Sequence, residues 1–212
     1  MTNRCLIVVD VQNDFCPGGA LAVGKGDEVV PVINKLLPNF DLVVFTMDWH
    51  KADNVGFASQ YGVEPFTVVP RLNDTVWPDH CIQNTEGAKL HPGLDLSKCK
   101  KDFYILKKGM DSHPYSAFGQ FPENVEGDEA FPELVTLLDS KGVTSIFVCG
   151  LALDYCVRDT AVDGASLFGY DTTVVIDACR SISEDLKPTM QVFLDEGIAI
   201  VDSSNPDLFN VV

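Results

Sequence analysis

Six short runs of apolar, largely β-branched residues punctuate the chain, at 5–9, 42–47, 103–106, 145–149, 172–176 and 198–201. Each is nearly continuous rather than alternating, the pattern of strands buried on both faces of a parallel sheet. Helical spacing fills the gaps between them. Asp27 stands where it would cap a helix over 28–37, with Pro31 in or near the first turn. Pro132 and Gly142 frame a second helix. A third, over 156–168, closes at Gly169 and sets Val157, Ala161, Ala165 and Phe168 on one face. A fourth, over 183–196, ends at Gly197. Strand–helix alternation of this kind predicts a doubly wound α/β fold, a mostly parallel six-stranded sheet with helices on both faces. The interval 48–101 breaks the rhythm with Asn, Asp, Pro and Gly, and a loop region that long inside a compact unit is usually functional. No repeat or linker divides the 212 residues, so one domain over 1–212 is expected.

Composition narrows the classes. Hydrophobic residues at 46% and charged residues at 22% exclude a disordered chain. Fifteen basic against 31 acidic residues give a net charge of −16, which repels phosphate backbones and argues against nucleic-acid or anionic-membrane partners. No stretch approaches the roughly 18 apolar residues of a membrane span. The seven cysteines are odd in number, include no C-x-x-C pair and lie partly inside apolar runs, so reduced thiols in the cytoplasm are expected.

In doubly wound sheets ligands bind beyond the carboxyl ends of the strands, near the point where strand order reverses. Asp10 follows the first strand, Asp48 and His50 the second, Lys107 and Lys108 the third, and a short turn leads from the fourth to Cys156. A cysteine opening a helix gains from the aligned peptide dipoles and free N–H groups, so its thiol is expected to ionise more easily. A neighbouring carboxylate such as Asp10 can take its proton and return it to a leaving amine. One of the two lysines, which alternation sends to opposite faces, can offset the developing charge. Asp48 and His50, two apart on an extended segment, together with His80 in Trp77-Pro78-Asp79-His80-Cys81, suit a divalent cation, with Zn²⁺ first and Mn²⁺ or Fe²⁺ as alternatives. His91 and His113 precede prolines and receive no role. Phosphate-loop, dinucleotide-binding and G-x-S-x-G signatures are absent.

Six motifs occur in order: Asp10-Val11-Gln12-Asn13-Asp14-Phe15, Gly18-Gly19-Ala20-Leu21-Ala22-Val23, Asp48-Trp49-His50, Trp77-Pro78-Asp79-His80-Cys81, Lys108-Gly109 with Tyr115-Ser116-Ala117-Phe118, and Gly150-Leu151-Ala152-Leu153-Asp154-Tyr155-Cys156-Val157. Together they resemble the isochorismatase-like cysteine hydrolases and, within them, the nicotinamidases (pyrazinamidases). The resemblance implies a triad of Asp10, Lys108 and Cys156, and a divalent metal held by Asp48, His50 and His80. It implies a cis Leu151–Ala152 bond with the N–H groups of Ala152 and Cys156 facing an oxyanion, and a ring pocket of Phe15, Trp77 and Tyr115 with Leu21. The implied substrate is nicotinamide, and pyrazinamide with it; self-association is left open. Where many relatives carry a further metal-binding side chain, this chain has Asn54 and Gly56, so water is expected in the remaining positions. Three other readings compete: a metal-independent hydrolase of the same superfamily, a non-catalytic binding module using the same cleft, and a bare metal hydrolase that does not use Cys156.

Overall fold

A computed structural model describes residues 3–110, 115–119 and 132–205; His113 lies outside them. In chain order the elements are β1 (Asn3–Val9), α1 (Val29–Leu36), β2 (Leu42–Asp48), β3 (Thr67–Val69), β4 (Asp74–Val76), β5 (Asp102–Lys108), α2 (Pro132–Ser140), β6 (Val143–Leu151), α3 (Arg158–Val162), β7 (Asp171–Arg180), α4 (Lys187–Asp195) and β8 (Ala199–Val201). All six expected strands join one sheet in the order β5-β2-β1-β6-β7-β8, and every pairing within it is parallel. This is the doubly wound order, with its reversal between β1 and β6. β1 and β2 are buried almost throughout, as continuous apolar runs require. The hairpin β3–β4 stands outside the sheet, within the long interval 48–101. Among the described residues no helix is long and apolar enough to cross a membrane, and all seven cysteines are free thiols.

Three helix boundaries differ from the sequence reading. Lys25 takes a left-handed conformation (φ 57°) and starts a tight 3₁₀ turn at Gly26–Glu28. The α-helix therefore begins at Val29, and Asp27 makes no side-chain cap. The expected helix over 156–168 is instead a wide turn at Leu153–Val157, a short α3, and a second wide turn at Asp163–Leu167. Cys156 thus lies inside the first wide turn, three residues after its start. The last helix starts at Lys187 because the N–H groups of Ile182 and Ser183 bond the carboxylate of Asp154 (3.0 and 2.8 Å).

Candidate active site

The strand ends collect the polar groups. In the β2–β5 register Asp48 faces Lys108, so carboxylate and ammonium leave the sheet side by side. Lys108 Nζ lies 2.5 Å from Asp48 Oδ1, 2.9 Å from Asp10 Oδ2 and 3.6 Å from Cys156 Sγ. Lys107 points the other way and sits 3.6 Å over the Trp49 ring. Lys108 is therefore the inward lysine of the pair. Asp10, just past β1 and fully buried, receives the Thr46 hydroxyl on Oδ1 at 2.7 Å. Its Oδ2 faces the Lys108 ammonium as an ion pair. Cys156 Sγ and carboxylate oxygens of Asp10 and Asp48 all lie within 4.8 Å of one another.

Beside this group stand Asp48, His50 and His80, all buried. Asp48 Oδ2 is 3.4 Å from His50 Nε2 and 4.0 Å from His80 Nε2. Each imidazole holds its Nδ1 against a backbone carbonyl, Gly109 for His50 (2.6 Å) and Pro78 for His80 (2.7 Å). In the neutral imidazoles an N–H donated there leaves both Nε2 lone pairs facing Asp48, the outer-shell arrangement of metal-binding histidines. Ligands about 2.0–2.2 Å from one ion lie about 3–3.5 Å apart in tetrahedral or octahedral geometry, so small shifts fit these three residues to a divalent cation. Asn54, at the position the sequence left open, donates from Nδ2 to the Gly109 carbonyl (3.1 Å), the acceptor that also orients His50. Phe57, 1% exposed, packs its ring 5.5 Å from both imidazoles.

Phe15, Leu21, Trp77, Tyr115, Ala152 and Cys156 all line the adjoining pocket, which reaches Asp48, His50 and His80. Trp77 Nε1 donates to the Tyr115 hydroxyl at 3.1 Å, joining two of the aromatic walls. The Leu151–Ala152 peptide is cis.

The charges are strongly coupled. Burial pushes Asp10 up to about 6 against the pull of Lys108. Burial opposes the charged form of Asp48 as well, but Lys108 and His50 override it and hold that carboxyl well below its usual range. Burial works against the Lys108 ammonium too; Asp10 and Asp48 more than compensate, and it stays charged. His80 is lowered to about 4 by burial and by His50, so it is neutral near pH 7 and able to ligate. Cys156 departs from the sequence expectation. Burial raises its pKa well above that of a free thiol, and Asp10 and Asp48 add to this against Lys108. Burial and two nearby carboxylates outweigh a short turn's dipole, so the resting group is a thiol and its activation needs a base.

An isochorismatase domain model matches residues 4–203. The chain belongs to the isochorismatase family. Its sequence is 39% identical over 211 residues to a nicotinamidase of Acinetobacter baylyi, covering 96% of this chain and 94% of that one. Among solved structures, a nicotinamidase/pyrazinamidase of Acinetobacter baumanii superposes with a TM-score of 0.86 at 35% identity, covering 97% and 98% of the two chains. A pyrazinamidase of Pyrococcus horikoshii in complex with zinc gives 0.74 at 34% identity, over 94% and 99%.

Within this site some residues carried no sequence signal. Phe57 and Ile182 line the pocket from segments with no motif. Tyr155 lines it too, with rings of Trp77 and Tyr115 at 5.0 and 5.3 Å; its place next to Cys156 was the available clue.

Proposed function

We propose that this chain is a nicotinamidase: it hydrolyses nicotinamide to nicotinate and ammonia through a thioester on Cys156. The observation that carries the reading is the packing of a buried carboxylate and a lysine against a thiol that lines the pocket, beside a two-histidine, one-carboxylate cluster.

Asp10 takes the Cys156 proton as sulfur attacks the carboxamide carbon. The carbonyl π electrons move to oxygen, which receives N–H groups of Ala152 and Cys156. Asp10 then protonates the nitrogen, the C–N bond breaks, and ammonia leaves. Water adds to the thioester, giving its proton to Asp10. The C–S bond breaks, and Asp10 returns the proton to sulfur as the acid departs. Lys108 keeps its charge throughout and holds Asp10 and Asp48 in place. Phe15, Leu21, Trp77 and Tyr115 enclose the ring. Asp48, His50 and His80 would hold a divalent cation, Zn²⁺ by preference, which when bound takes the pyridine nitrogen as a ligand and fixes the ring. Pyrazinamide carries a ring nitrogen at the same separation from its carboxamide and is the second substrate. The seven free thiols support a reducing, cytoplasmic setting, and one domain over 1–212 carries the whole site.

The test is ammonia release from nicotinamide by purified protein before and after dialysis against a strong chelator. The reading requires turnover that chelation lowers and Zn²⁺, Mn²⁺ or Fe²⁺ restores. No ammonia from the metal-loaded protein contradicts it.

A further inference from the structure

The loop after β1 supplies more than Asp10. It runs against residues 87–91, with Asn13 N–H bonded to Lys89 O (3.0 Å), Asp14 N–H to Gly87 O (3.0 Å) and His91 N–H to Val11 O (2.8 Å). From this seam two side chains reach toward the cation cluster. Gln12 is fully buried, and both ends of its amide are engaged. Its Oε1 accepts Asp48 N–H at 2.8 Å, while Nε2 donates to Asp48 O and Ala88 O, both at 2.8 Å. One side chain thus grips both backbone polar atoms of Asp48.

Asp14 serves the other arm. Its Oδ2 accepts the N–H of Cys81, the residue after His80, at 2.7 Å, and Oδ1 accepts Ala20 N–H at 3.1 Å. The Cys81 carbonyl in turn accepts His50 N–H at 3.0 Å, so a single residue stands between Asp14 and His50. The fit depends on Gly87, where a Cβ would lie 2.1 Å from Asp14 Oδ2. Neither Gln12 nor Asp14 lines the pocket.

We propose that Gln12 and Asp14 are positioning residues for the cation: they fix the spacing of Asp48 and His50 against His80 before the ion arrives. This rests on the metal reading above. Asp48 and His80 belong to segments far apart in sequence, and an unbraced pair must be ordered at the moment of binding, which weakens affinity. Loss of outer-shell partners of metal ligands typically costs about 10–100-fold in affinity.

The test reads metal binding without substrate. Zn²⁺ and Co²⁺ affinities of the purified full chain are measured by competition with a chromophoric chelator, with circular dichroism as the fold control. Gln12→Leu, Asp14→Asn and Gly87→Ala should each bind about 10–100-fold more weakly. Asp177→Asn, whose carboxylate holds Ser203 instead, should match the unsubstituted chain. At saturating metal the variants should recover most of their kcat, as a positioning role requires. A folded Gln12→Leu or Asp14→Asn with affinity within about threefold of the unsubstituted chain overturns the proposal. If Gln12→Leu does not fold, the half-buried Asp14→Asn decides alone. A chain that binds metal yet releases no ammonia overturns the amidase reading and leaves this one standing.

Discussion

Asp10 has no exposed surface, and three neighbours set its charge: Lys108, the Thr46 hydroxyl and Asp48. With its pKa pushed up to about 6, the carboxylate is charged at neutral pH and gains a proton below it. As the proposed base it works only when charged, so kcat/KM should fall as pH drops through about 6. Thr46 donates to the charged form and lowers the pKa. Thr46→Val should therefore move the acid limb to higher pH, which a pH–rate profile reads directly; an unmoved limb separates it from Asp10. Asp10→Asn removes the base while keeping shape, and should cost at least about 100-fold in kcat with an unchanged circular dichroism spectrum. Near-normal turnover in that variant assigns the base elsewhere.

At the scale of elements, the reversal of strand order between β1 and β6 brings Asp10 and Cys156 to one point. The close approach there depends on Gly150. Its φ is +118°, and a Cβ would lie 2.1 Å from the Val9 carbonyl oxygen. Gly150→Ala should destabilise the fold by about 2–4 kcal/mol, measured as a lowered urea midpoint at constant slope; an unchanged midpoint means the strands part freely. The strands were legible in the sequence because continuous apolar runs have one reading in an alternating chain. The helix starts were not. Asp27 resembles a cap in sequence, but Lys25 turns the chain before it, and Asp154 captures the N–H groups of Ile182 and Ser183 that would have opened the last helix early. Both effects depend on groups that the local pattern does not contain.

Across the whole molecule, the long interval between β2 and β5 folds back so that Trp77 and His80 share a pocket with Phe15, Asp48, Ala152 and Cys156. The residue types of the site were legible because carboxylates, an amine, a thiol and one imidazole follow strands, while the second imidazole stands in the Trp77-Pro78-Asp79-His80 motif. The protonation of Cys156 was not, since it depends on burial and on two carboxylates gathered from distant segments. Phe57 likewise gains its place under both imidazoles only through the tertiary fold. Loss of metal should leave the sheet intact, because the core is continuous without the cation cluster. Chelation is thus expected to lower ammonia release while far-UV circular dichroism stays constant; loss of both together would make the ion structural. The most direct measurement is ammonia release from nicotinamide by metal-loaded Cys156→Ala beside the unsubstituted chain. The account predicts turnover in the unsubstituted chain and none above background in the variant. Ammonia released at a comparable rate by both would contradict covalent catalysis at Cys156.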